Sequence, residues 1–206
     1  MLVISCHADT GFTAHWLRRE EGGSAGASPS PGRGGLLHGH LDNFVGVHAV
    51  MRAYFSGRLT QDFVRIELTY GEEEDYAGSN RVLATLHEHD VVLVVDVTGT
   101  PTAKDFVIEK CKDEMLSRLL GASLDGMAYD LYPYCPDPVA WEDEVDVYAR
   151  KCKQTCFLGI PCFGGDYNDG PVSCREASVG AVAEAICRVA EHFEAFAAEN
   201  GICVRC

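Results

Sequence analysis

The chain has no apolar stretch approaching the roughly 20 residues that span a bilayer, and Met1-Leu2-Val3-Ile4-Ser5-Cys6 is too short and uncharged for a secretory signal. Basic residues are scarce. Seventeen Lys and Arg stand against 31 Asp and Glu, and the formal charge of −14 disfavours nucleic acid and anionic membranes as partners while leaving divalent cations compatible. No Gly-rich phosphate loop follows a strand, which argues against Mg²⁺-dependent phosphoryl chemistry. There is no internal repeat and no domain linker, so residues 1–206 are expected to form one domain of a cytoplasmic protein.

Of the 206 residues, 47% are apolar, enough for a substantial core. Ten cysteines are scattered over strands, loops and helices, unlike a dense disulfide framework, and read as buried reduced thiols packing as small hydrophobes. Cys203-Val204-Arg205-Cys206 has CxxC spacing, but a single pair at a chain end is a weak metal or redox signal and reads as a fraying tail. The stretch from Gly22 to Gly35 has no periodicity and reads as a flexible Gly/Ser/Pro loop, flanked by His15, His38 and His40.

Elsewhere, β-branched runs alternate with stripes at helical spacing. Strands are expected near 1–5, 63–68, 91–97, 106–109, 127–131 and 155–160, with helices near 44–57, 77–88, 113–120, 141–151 and 177–199. The pattern predicts an α/β fold: a mixed, mostly parallel sheet with helices on both faces, in three layers.

The acidic segment Thr69-Tyr70-Gly71-Glu72-Glu73-Glu74-Asp75 organises the rest. Four consecutive carboxylates fall at a strand end, where α/β proteins place their chemistry, and such a cluster repels itself unless a cation is present. Adjacent acids on extended backbone point to opposite sides, so one can hold a metal while its neighbour faces substrate. A solvated acidic turn is the plain alternative. Three other polar groups stand at element ends. His7-Ala8-Asp9 closes the first strand, so an imidazole can bind a metal while the acid two residues on fixes its tautomer, or both can be ordinary surface groups. Asp42-Asn43 opens a helix, as N-cap or as a bridging carboxylate. Asp96 ends the Val91–Val97 run, an expensive place for an unpaired charge; it is a ligand or a carboxylate satisfied by backbone amides.

In order, His7-x-Asp9, Asp42-Asn43, Glu72-Glu73 with Gly78-Ser79, and Asp96 resemble the co-catalytic zinc exopeptidases and amidohydrolases of the M20, M28 and M42 families. The resemblance implies a zinc-exopeptidase-like catalytic domain that hydrolyses small peptides or N-acyl amino acids as an aminopeptidase or small-peptide exopeptidase, and is compatible with a homo-oligomer. It implies one or two Zn²⁺ ions, or Co²⁺ or Mn²⁺. His7 and Asp96 would bind one, Glu73 the other, and Asp42 would bridge. Asp9 would orient His7, and Glu72 would be the general base for a metal-activated water. The families' last histidine ligand is missing, since no histidine lies between His89 and His192. Glu176 occupies its expected place as a stand-in ligand or as a first-turn acid, with Cys174, Asp166 or Asp169 as further candidates; Arg175 could pair with a substrate carboxylate. The chain also begins at the His-x-Asp strand and leaves no room for a lid domain, which implies the single-domain M28 type. A catalytically degenerate binding or regulatory module, holding one ion or none, is the alternative.

Overall fold

Val91–Thr98 is eight residues long and buried throughout, as its β-branched run requires of a strand covered on both faces. In the computed structural model, which describes residues 1–20 and 35–200, this strand sits inside a nine-stranded sheet. The strands are β1 (Leu2–His7), β2 (Leu17–Glu20), β3 (Leu36–Gly39), β4 (Val64–Thr69), β5 (Val91–Thr98), β6 (Phe106–Glu109), β7 (Tyr129–Leu131), β8 (Gln154–Phe163) and β9 (Val172–Arg175), and the main path runs β2-β3-β9-β8-β5-β1-β4. Residues 22–34 of the expected flexible loop and the Cys203–Cys206 pair lie outside the described residues.

The sheet is mixed, not mostly parallel. The β1–β4, β1–β5, β5–β8 and β6–β7 ladders are parallel, whereas β2–β3, β3–β9, β6–β8 and β8–β9 are antiparallel. Three four-residue strands, β2, β3 and β9, account for much of the difference; they fall in stretches to which the sequence assigns no element, because their short and partly polar sequences carry little alternation. The ten-residue β8 joins the two regimes. One of its edges follows β5 in parallel, while the other meets β6 through residues 157–159 and β9 through 162–163.

Helices cover both faces. Alternate residues of β1 and β5 (Leu2, Ile4, Leu93, Val95) pack with α1 (Phe44–Phe55), α3 (Glu114–Ser123) and α5 (Glu176–Glu199). Their neighbours Val3, Val92 and Val94 pack with Val82 and Leu86 around α2 (Ala77–Thr85), and with Val145 and Tyr148 of α4 (Glu144–Tyr148). The helix expected over 141–151 starts only at Glu144, where Asp143 caps it through a capping box, and is five residues long. The eight described cysteines are free and all but Cys135 are buried, several within the apolar cores. Among the described residues no helix is long and apolar enough to cross a membrane.

The parallel core turns its carboxyl ends to one side, with β1 between β4 and β5. Groups at the ends of these three strands therefore meet, as in other open α/β sheets. Core packing predicts that Phe193→Ala, whose ring is buried 5.5 Å from that of Phe63, loses about 3–5 kcal/mol of stability. Phe55→Ala, on an 76% exposed side chain, changes it by less than about 0.5 kcal/mol. Denaturant unfolding of the two variants checks the contrast.

Candidate metal centre

His7 is the last residue of β1 and is 1% exposed. Its Nε2 lies 3.1 Å from Asp42 Oδ1 and 3.1 Å from Asp96 Oδ2, and its Nδ1 lies 3.5 Å from Asp9 Oδ1. A neutral imidazole donates through one nitrogen only, so it cannot satisfy all three acids.

Local structure explains how each carboxylate arrives. At the start of α1 the capping role falls to Asn43, whose Oδ1 accepts from Gly46 N at 3.0 Å and whose amide donates to Val95 O at 2.9 Å and to Cys6 Sγ at 3.3 Å. That leaves Asp42 Oδ1, buried and without a hydrogen-bond donor, aimed at His7. Asp96 uses Oδ1 to accept from its neighbour Val97 N at 2.7 Å, which leaves Oδ2 for the imidazole. Asp9 is tethered from the turn after β4, its Oδ2 accepting from Gly71 N at 2.8 Å.

The turn after β4 depends on two glycines. Gly71 has φ +76°, and a Cβ there would lie 2.8 Å from Asp75 Oδ1. A Cβ on Gly78 would come within 2.4 Å of Tyr70 N, so α2 can approach the turn only through glycine. The turn presents Glu72 and Glu73. Each set, His7 with Asp42 and Asp96, and His7 with Glu72 and Glu73, offers ligand atoms within 4.8 Å of one another. One imidazole nitrogen and several carboxylate oxygens, some without donors, form a donor set that suits Zn²⁺, Co²⁺ or Mn²⁺.

The electrostatics agree. Burial, then the charges of Asp96 and Asp42, pushes the Glu72 carboxyl up to about 9. Burial and Asp42 push Asp96 up to about 7, although His7 opposes them. Burial and the Asp42 charge also raise Glu73. For His7, burial is outweighed by its acidic neighbours, and the imidazole is held well above its usual range. Burial works against Asp9, yet its bonds to His7 and backbone amides hold it low.

The residues proposed for the missing histidine are elsewhere. Glu176 begins α5, and its Oε2 meets Arg19 Nε of β2 at 2.9 Å instead of joining the cluster. The β2–β3–β9 ladders explain this, since they align Glu20 with Leu36 and Leu36 with Arg175 at the sheet's far side. Arg175 donates to the Lys104 carbonyl and does not line the cavity. Cys174 is fully buried in β9, and Asp166 accepts from Asn168 in an exposed turn. What the 164–171 loop brings to the cavity is Tyr167 and Asn168. His192 is exposed on α5, its Nδ1 2.8 Å from Arg188 O.

The cavity of about 240 Å³ lined by Asp42, Glu72, Glu73 and Asp96 also has walls that sequence reading missed. Glu109 ends β6, an apolar run closed by an acid much as Asp96 follows the Val91–Val95 run of β5, and accepts from Thr98 Oγ1 at 3.1 Å. Asp137 accepts from Gly99 N at 2.7 Å and from the Tyr167 hydroxyl at 2.8 Å. Behind His7, Glu144 of α4 is buried and accepts from Ser5 Oγ at 3.0 Å. Its place in a short acidic helix gave no signal of burial.

No protein-family model and no curated protein matches the chain. Among solved structures it is similar to a TET aminopeptidase from a marine sediment archaeon of the Thaumarchaeota, at 10% identity and TM-score 0.57 over 78% of this chain and 52% of that one. It is similar to an M18-family aminopeptidase of Thermotoga maritima, at 11% identity and TM-score 0.58 over 84% and 48%. It also resembles yeast aminopeptidase 1, in the structure of its dodecamer, at 13% identity and TM-score 0.59 over 81% and 48%. Aminopeptidases thus share this mixed α/β fold, and the chain spans about half the length of those proteins.

The raised carboxyls bear on stability. Glu72 and Asp96 bind protons more tightly folded than unfolded, so their contribution is fully present below about pH 4 and is lost as pH rises through about 7 and 9. His7, also raised, changes in the same direction. Chelator-treated protein should therefore melt at progressively lower temperature from pH 5.5 to 8.5. Added Zn²⁺ should raise the melting temperature by several degrees at pH 8 and by less at pH 5.5, where protons compete for the ligands. Thermal melts with and without chelator measure both effects.

Proposed function

We propose that the chain is a single catalytic-type domain of a metal-dependent hydrolase of amide bonds, an aminopeptidase or small-peptide exopeptidase acting on small peptides or N-acyl amino acids. The observation that carries this reading is the convergence of His7, Asp42 and Asp96, and of His7, Glu72 and Glu73, each set within 4.8 Å. The aminopeptidase neighbours support it at the level of fold. Their oligomers, such as the yeast dodecamer, support a homo-oligomer here.

His7, Asp42 and Asp96 would hold one divalent cation, with Asp42 and Glu73 serving a second. Zinc fits this donor set, as do cobalt and manganese. Bound cations would acidify water and polarise the scissile carbonyl. The protein's own groups do the rest. Asp9, held by Gly71 N, fixes the His7 ring so that Nε2 faces Asp42 and Asp96. Glu72 accepts the proton of the attacking water and returns it to the leaving nitrogen. Its carboxyl, pushed up to about 9 by burial and its acidic neighbours, needs added positive charge before it can act as a base at neutral pH. The partly enclosed cavity limits water around the reacting groups.

A second reading, a binding or regulatory module that keeps the scaffold with one ion or none, is favoured by one observation: Tyr167 and Asn168, not a histidine, reach the cavity from the 164–171 loop. Metal content and activity separate the two. Glu72→Gln should retain bound zinc and lower kcat for a hydrolysed peptide by about 10²–10⁴-fold. Retained zinc with full activity would remove Glu72 as the base. Wild-type protein that binds no ion after zinc supplementation and cleaves no peptide would support the module instead.

A further inference from the structure

Nine carboxylates and no basic side chain line the cavity. Several are already engaged. Asp137 accepts from Gly99 N and the Tyr167 hydroxyl, Glu109 accepts from Thr98 Oγ1, and Asp143 lies 2.9 Å from Lys110 Nζ. Glu74 and Glu142 have no ion pair among the described residues, and both are exposed and line the cavity. Their segments are fastened together, because Tyr76, two residues after Glu74, donates its hydroxyl proton to Glu142 O at 2.6 Å. Trp141, the neighbour of Glu142 in sequence, is 80% exposed and also lines the cavity. Inside, Asp42 Oδ1 is buried, lacks a hydrogen-bond donor and belongs to a side chain that lines the same cavity.

Unpaired carboxylates beside an exposed tryptophan match an ammonium or guanidinium on an alkyl stem, whose charge the acids and the aromatic ring can both take up. We infer that the cavity selects substrates whose first residue carries a cationic side chain, with Glu74, Glu142 and Trp141 as the specificity-determining residues. This inference rests on the hydrolase reading and deepens it. A free α-amine, which every unblocked peptide has, needs fewer acids than the cavity offers. An acidic side chain would meet only like charge there, and an apolar one would leave the acids uncompensated.

The test is a panel of aminoacyl-coumarylamides with Lys, Arg, Leu or Glu, assayed on the zinc-loaded full chain and on a Glu74→Gln/Glu142→Gln double variant. The wild type should favour Lys and Arg over Leu in kcat/KM by about tenfold, the scale of one or two partly screened charge pairs, with Glu slowest. In the double variant the Lys-to-Leu ratio should fall toward one, and Trp141→Ala should lower it further. Equal or better turnover of Leu by the wild type, or a ratio unchanged in the double variant, overturns the inference. Should no substrate be cleaved, the hydrolase reading fails, and calorimetric binding of lysinamide and leucinamide decides selectivity alone. About tenfold tighter lysinamide, lost in the double variant, upholds it; equal affinities reject it.

Discussion

Three carboxylates, from Asp9, Asp42 and Asp96, surround one buried imidazole, and Glu72 and Glu73 close on the same point. Two like charges 4 Å apart repel by about 4 kcal/mol at an effective dielectric constant of about 20. The arrangement needs protons or a cation to relieve that repulsion, and burial together with the neighbouring acids raises the Glu72 and Asp96 carboxyls. Neighbouring structure keeps the acids pointed inward at this cost. Asn43 takes over the helix cap so that Asp42 is spared, and Val97 N occupies one oxygen of Asp96 so that the other faces His7.

The sheet makes the convergence geometric. With β1 paired to β4 on one side and to β5 on the other, three strand ends arrive side by side although they are separated by tens of residues in sequence. Burying Leu2, Ile4, Val92 and Val94 on two helix-covered faces fixes the register of those strands, and a one-residue slip would turn His7 and Asp96 to the wrong face. The antiparallel half of the sheet does different work: through β9 and β8 it carries the 164–171 loop, which closes the cavity with Tyr167.

Much of this was legible in the sequence, for physical reasons. Long β-branched runs such as Val91–Val95 have one stable use, and an acid placed directly after one stands out. The His7, Asp42, Glu72, Glu73 and Asp96 pattern could therefore be read at strand ends and helix starts. Less could be read where a residue's role depends on distant pairing. Leu36–Gly39 and Val172–Arg175 become strands by pairing with each other and with β2 and β8, and that pairing carries Glu176 to Arg19 and away from the cluster. Glu109 repeated the strand-end signal of Asp96 and was readable on the same grounds, whereas nothing in the short helix around Glu144 announced its burial behind His7.

The central claim is that these side chains form a cation site. Anomalous diffraction at the zinc edge, from crystals of the full chain grown with Zn²⁺, tests it most directly. The account predicts a strong peak between His7 Nε2, Asp42 and Asp96. Crystals in which those side chains keep their positions and zinc scatters only elsewhere would contradict it.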